Sequence, residues 1–340
     1  MKVLTFGEMM LRLKPLAFER IIQTSAFEAA YGGAEANTAV SLALLGHDAA
    51  YLTKLPENPL GDAAIGSLRK HGVDTRHILR GGPRLGMYFF EKGTGARPTG
   101  VVYDRAGSSI ATAERNEFDW KILLKEIGIF YFSGITPAIS KDLEAALKEA
   151  LDYCKAHNIT VVCDLNYRGK MWKPEQAQKV MAELMPFVDV CIANDEDFEA
   201  MLGIRAFDGD LSHGIDQKED FLKGMKEVTQ QYPNCKVVAS VLRNINSVEQ
   251  SDWMAILYQN DTFYETPIHN INVMEGVAAG DAFGAGLLHG MLNKLEPQES
   301  IEFAIAASVL KLSISGDYNL VTESEIRGAM EKGSNARLNR

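Results

Sequence analysis

Short, continuously apolar runs alternate along this chain with longer stretches whose small and apolar residues recur at helical spacing. Val3, Leu4, Thr5 and Phe6 read as a first strand that ends at Gly7-Glu8. Residues 34–45 place Ala36, Ala39, Val40, Ala43 and Leu44 along one helical face, with Gly46 as a C-terminal stop. A short strand over 49–52 and a helix over 61–71, stopped by Gly72, follow. The same alternation then predicts strands at 129–132, 160–164 and 188–193, and helices at 141–157, 175–185 and 196–202. Later strands fall at 237–242 and 253–258. Strands apolar on both faces, interleaved with helices, predict an α/β fold: a central, mostly parallel sheet with helices on both sides.

One segment breaks this rhythm. Two β-rich runs, 87–90 and 101–103, flank a glycine-rich stretch from Gly93 to Gly100, which is the pattern of a β-hairpin. Because it lies between α/β units, it is expected to stand off the main sheet as part of a small lid, with lid strands within 9–25 and 86–105. Residues 205–218 are rich in Gly, Asp and Ser and read as a surface excursion. The reading is one domain over 1–328 and a polar tail over 329–340.

Composition narrows the function. The 340 residues are 46% hydrophobic and 24% charged, with a net charge of -10, so the basic footprint of a nucleic-acid binder is missing. Any anion site has to be built locally from a few basic side chains and backbone N–H groups. Cys154, Cys163, Cys191 and Cys235 form no C-x-x-C pair and read as buried free thiols, and the seven histidines show no metal-binding spacing. No signal-peptide pattern opens the chain and no apolar run is long enough to span a bilayer, which places the protein in the cytoplasm with no membrane partner.

The segment from Glu275 to Gly286 (EGVAAGDAFGAG) carries the chemistry. Small residues up to Gly280 permit a tight turn, and the helix that follows exposes unpaired N–H groups at its positive end, an arrangement suited to an anion. Asp281 sits in the first turn of that helix. No G-x-x-x-x-G-K-[ST] occurs, and no G-x-G-x-x-G follows the first strand, which argues against P-loop enzymes and dinucleotide-dependent dehydrogenases.

The same segment resembles the C-terminal signature D-T-x-G-A-G-D of the ribokinase/PfkB family of carbohydrate kinases. Residues 31–39 (YGGAEANTA) resemble its N-terminal G-G-x-x-x-N signature. The resemblance implies a ribokinase-like fold with a β lid, ATP as phosphoryl donor and Mg²⁺ as cofactor. It makes Asp281 the general base, and the N–H groups of Ala278, Ala279 and Gly280 the anion hole. Asn194-Asp195-Glu196-Asp197 resembles the family's N-x-x-E motif, which gives Asn194 and Asp197 a role in ordering Mg²⁺, partly through water, and Asn194 a place near the nucleotide. The chain departs from the family at Glu275 (for Asp), Ala278 (for Gly) and Asp197 (for Glu). Ala278 bears on the turn if that position needs a positive φ.

Other motifs resemble 2-keto-3-deoxygluconate kinases within this family: Asp164-Leu165-Asn166-Tyr167-Arg168 with Trp172, Ser133 to Ala138 (SGITPA), the lid residues Tyr88, Tyr103 and Arg105, and Gly316 to Asn319 (GDYN). The implied substrate is a six-carbon keto-deoxy acid phosphorylated on its primary hydroxyl. Arg105 is the expected carboxylate clamp, and Arg168 reaches either substrate or γ-phosphate. Tyr88 and Tyr103 form a wall, while Gly33, Asn37 and Ile135 also face the sugar. Arg243 and Asn319 are the remaining nucleotide-side candidates, and a homodimer through the lid is implied. Another sugar kinase of fructokinase or ribokinase type, or a catalytically weak sugar-acid-binding protein, are the alternatives. The gluconate or galactonate epimer stays open.

Overall fold

The computed structural model describes residues 1–332. Its main sheet has nine strands. From one edge they run Thr262–Glu265, Gln250–Gln259, Val237–Ile245, Val190–Ile192, Thr160–Asp164, Ile127–Ser133, Lys2–Phe6 and Ala49–Leu52, with His269–Asn272 pairing beside Gln250–Gln259. Every pairing from Val237–Ile245 across to Ala49–Leu52 is parallel, and the three strands at the other edge are antiparallel. A mostly parallel sheet was expected, and the antiparallel edge completes it.

The strand Ile127–Ser133 shows why the sequence is apolar without alternation. Phe130 and Phe132 enter one core, which includes Leu147, Met181 and Met225 of the helices Lys141–His157, Pro174–Leu184 and Lys218–Gln231. Ile129 and Tyr131 enter the opposite core, with Phe283 and Ile301 of the helices Ala279–Asn293 and Pro297–Lys311. Alternate side chains feed two hydrophobic layers, so both must be apolar. The two latter helices pack closely because Gly286 lies against the backbone of Ala304, where a side chain would not fit.

The lid is a separate four-stranded sheet in the order Phe27–Gly32, Met10–Pro15, Gly86–Glu91, Gly100–Asp104. The hairpin expected at 86–104 is present, with Tyr88 opposite Tyr103. The range 9–25 captures only one of the two N-terminal lid strands, since Phe27–Gly32 falls beyond it. The C-terminal helix Glu323–Lys332 also runs through the start of the expected tail, and the rest of that tail lies outside the described residues. All four cysteines are free and buried. No described helix is long and apolar enough to cross a membrane.

Candidate active site

A cleft of about 460 Å³ opens beside the carboxyl ends of the parallel strands, between the main sheet and the lid. That is where ligands bind in α/β sheets of this kind. Of the predicted site residues, Gly33, Asn37, Tyr88, Tyr103, Arg105, Ile135, Arg168, Asn194, Asp197, Arg243, Ala278, Gly280 and Asp281 line it. Ala279 lies within the same turn as the first residue of the helix Ala279–Asn293. Asn319 is not brought to the cleft. It is buried, and its Nδ2 donates to Ala307 O at 3.1 Å, so its role is to hold a loop.

Ala278 is the N-cap of that helix, with φ 61° and ψ 15°. A left-handed conformation costs an L-residue about 1–2 kcal/mol, and the turn imposes it on an alanine where the resembled signature has glycine. Ala278→Gly is therefore expected to raise stability by about 0.5–1 kcal/mol after glycine's own entropy cost. It should raise Tm by roughly 1–3 °C. Thermal melting of the purified variant checks this, and a lowered Tm contradicts it.

Asp281 is buried and lines the cleft. Asn37 Nδ2 donates to its Oδ2 at 2.7 Å, and Thr38 Oγ1 donates to its backbone carbonyl at 3.4 Å. Burial pushes its carboxyl up to about 7, aided by Glu35, against the Asn37 hydrogen bond and the more distant charge of Arg168. A carboxyl poised near neutrality is suited to general-base work. Asn37 thus reaches from one signature segment to the other and holds the Asp281 carboxyl.

The turn that carries Asn37 depends on its glycine. A side chain at Gly33 would collide with the backbone carbonyl of Glu8, so glycine is needed there for chain packing. Two residues on, Glu35 is buried, accepting from the Ser133 N–H at 3.1 Å and the Thr136 hydroxyl at 3.3 Å. Burial raises its carboxyl too.

More carboxylates converge than the sequence suggests. Asp164 is buried at the end of its strand, with no hydrogen-bond partner for Oδ1 among the described residues. Burial, then Asp197 and Asp281, raise it well above the usual range. Asp197 accepts from the N–H groups of Tyr167 (2.7 Å) and Asn194 (2.8 Å), while burial lifts it to about 6. The Oδ1 of Asn194 accepts from the Val241 N–H at 2.8 Å and ties two strands together.

The basic residues are unequally engaged. Arg105 pairs with Glu8, whose other oxygen accepts from the Ser108 hydroxyl at 2.6 Å. Arg105 Nη1 rests on Met171 Sδ at 3.4 Å, a weak acceptor. Arg243 pairs with Asp195 and stacks 5.3 Å from the Trp253 ring centre. Arg168 is exposed, donates to the carbonyl of Tyr167 at 3.1 Å, and forms no salt bridge among the described residues. The structure thus qualifies the expected Arg105 clamp, because a protein carboxylate already holds much of its fork.

Glu8, Glu35 and Asp317 also line the cleft and were not read as site residues. Asp317 accepts from the Tyr88 hydroxyl and lies beside Arg12, with Nε–Oδ2 at 3.4 Å. Arg12 in turn contacts Glu275 at 2.5 Å. The signal for Asp317 lies in the GDYN segment, two residues before the predicted Asn319. Arg12 had none, because a charge inside a short apolar strand reads as an exposed side chain.

Known proteins share this sequence pattern and fold. The family described as pfkB family carbohydrate kinase matches residues 1–324. A 2-dehydro-3-deoxygalactonokinase of Haloferax volcanii is 32% identical over 98% of this chain and 97% of its own length. The crystal structure of 2-dehydro-3-deoxygluconokinase from Thermotoga maritima is 46% identical, with a TM-score of 0.93 over 97% of this chain and 99% of that one. A PfkB family carbohydrate kinase from Listeria grayi is 34% identical, with a TM-score of 0.90 over 98% of this chain and 100% of that one. With its two signature segments meeting at Asn37 and Asp281, this chain belongs to the pfkB family of carbohydrate kinases.

Proposed function

We propose that this ATP-dependent carbohydrate kinase phosphorylates the primary hydroxyl of a 2-keto-3-deoxy sugar acid, with 2-keto-3-deoxygluconate the first candidate. The observation that carries the reading is one cleft lined both by Asp281 with the anion turn and by the basic side chains Arg105 and Arg168. The lid meets the segment that carries Arg168 where Arg105 touches Met171 and Lys170 Nζ donates to Val101 O at 3.2 Å. Arg168 supplies an uncommitted guanidinium, and Arg105 has its Met171-directed donor to redirect. Together they suit a carboxylate better than a neutral sugar.

Asp281 accepts the proton of the attacking hydroxyl, and the N–H groups of the 278–280 turn receive the transferred phosphoryl group. Mg²⁺ is proposed as the partner of ATP. No group of three potential ligands among the described residues forms a cage, but Mg²⁺ bound to a nucleotide commonly takes only one or two carboxylates besides water and phosphate. The open Oδ1 of Asp164 fits that demand better than Asn194, whose Oδ1 is already used, or Asp197, both of whose oxygens accept backbone N–H bonds. When bound, the ion would neutralise phosphate charge. A homodimer through the lid is also proposed, supported by the lid edge strand Gly100–Asp104, where Val102 is 56% exposed.

Steady-state ADP release with Mg²⁺-ATP and a panel of 2-keto-3-deoxygluconate, 2-keto-3-deoxygalactonate, gluconate, fructose and ribose tests the substrate. Turnover is expected with the keto-deoxy acids alone. Arg168→Met should raise the acid's KM by roughly 10- to 100-fold, the value of a charge-assisted hydrogen bond. Efficient use of fructose or ribose by the wild type would remove the sugar-acid assignment and leave the kinase.

A further inference from the structure

Lys311 has no part in the chemistry described so far, yet its side chain is fully buried and is among the largest wholly enclosed in the molecule. It is the last residue of the helix Pro297–Lys311, where the negative end of the helix favours a cation. Its Nζ donates to Ile314 O at 2.9 Å. The loop it holds is bound to the segment that leads into the anion turn. Leu312 O accepts from the N–H groups of Met274 (2.8 Å) and Glu275 (3.1 Å), and the Gly316 N–H returns a bond to Glu275 Oε1 at 2.9 Å. One turn earlier in the same helix, the Ser308 hydroxyl donates to Ala279 O at 2.9 Å. The anion turn, the 312–317 loop and the end of this helix are therefore one unit, with an ammonium group beneath it.

We propose that Lys311 is a positioning residue for phosphoryl transfer: a fixed buried positive charge that sets the 312–317 loop against the anion turn and favours negative charge both there and on Asp281. The inference rests on the reading of Asp281 as base. Arg12 and Lys14 also bring positive charge to this region, but both belong to the lid strand Met10–Pro15. Lys311 stays on the scaffold. Its cost argues for use, because a buried ammonium pays a desolvation penalty that an apolar side chain of similar length would avoid. The charged groups that face it are Asp317, Glu275 and Asp281, which favour the ammonium, and Arg12, which opposes it. Burial outweighs them and brings it down to about 8.

Lys311→Met keeps length and removes charge. The expected result is a folded protein whose kcat falls by roughly 10- to 100-fold, with a smaller change in the KM of the sugar acid. The acid limb of its kcat/KM profile should move to higher pH as Asp281 loses a stabilising charge. A merely structural lysine would leave that limb in place. If the variant fails to fold, the wild-type profile decides: activity should decline on the alkaline side as Lys311 loses its proton, and a flat profile to about pH 10, the ordinary lysine range, would overturn the proposal. Unchanged kcat and acid limb in a folded variant overturn it while leaving the kinase reading intact. A wild type with no turnover on any sugar acid overturns both.

Discussion

Asp281→Asn is expected to lower kcat by roughly 10²- to 10⁴-fold, the range for loss of a general base. The KM of the sugar acid should stay close to the wild-type value. The substitution preserves shape, since an asparagine carbonyl can accept from Asn37 as Oδ2 does now at 2.7 Å. It removes only the capacity to take a proton. In the wild type the carboxyl, pushed up to about 7 by burial, must be ionised to act, so kcat/KM should rise with pH along a single-proton limb near that value. A variant that retains more than about a tenth of wild-type kcat would place the base elsewhere.

The same carboxyl makes an opposite statement about stability. Its folded-state pKa lies above its unfolded value, so the folded form holds its proton more tightly. The stability that follows is complete below the ordinary aspartate range and is lost as pH rises through about 7. Above neutrality the protein carries a buried charge at the expense of its own stability. Asp281→Asn should therefore melt with the wild type in acid and above it at pH 8, by about 5 °C. Gaining stability while losing activity is the mark of a catalytic group that the fold would otherwise exclude.

The sequence made the scaffold legible wherever periodicity and burial agree. The strand Ile127–Ser133 and the helix Lys141–His157, with Leu143, Ala146, Leu147, Ala150 and Leu151 inward, show clean patterns. The helix Pro297–Lys311 is different. It buries Ile301, Phe303, Ala304, Ile305 and Ala307 around most of its circumference, leaving little amphipathic stripe to read. The lid strand Met10–Pro15 is obscured for another reason. Arg12 and Lys14 are charged but buried, so the alternation that marks a half-exposed strand misleads. At the site, Asp281 and Asn37 were legible because short motifs carry them. Glu8, Asp317 and Arg12 were not, because their meaning lies in partners far away in sequence: Arg105 for Glu8, Tyr88 for Asp317, and Glu275 for Arg12. The departure at Glu275 becomes intelligible in the same way, since its carboxylate is the far end of a buried ion pair anchored in the lid.

Arg12→Met should be among the most destabilising single changes in the molecule, costing about 3–5 kcal/mol and lowering Tm by roughly 5–10 °C. Arg12 is 2% exposed, with Nη2 at 2.5 Å from Glu275 Oε1 and its guanidinium 5.0 Å from the centre of the Phe90 ring. Removing it leaves Glu275 and Asp317 as carboxylates buried without that partner. Lys14, at 3.3 Å from Glu275 Oε2, compensates only one of them. Burial pushes Glu275 up, but Arg12, the Gly316 N–H and Lys14 together hold its carboxyl below the usual range. The stability of this pair is therefore present above the ordinary glutamate range and lost as pH falls through the lowered value. The deficit of Arg12→Met should be full at pH 7 and shrink in acid, and adding Glu275→Gln should recover part of it. Calorimetry of both variants from pH 8 down to about pH 3, below the ordinary glutamate range, reads this directly. A deficit that does not change with pH would mean that the loss comes from Phe90 packing and not from charge. Because the pair joins the lid to the segment leading into the anion turn, the same variant should also lose activity at temperatures where it remains folded: the lid strand would no longer be held against the 275–280 turn.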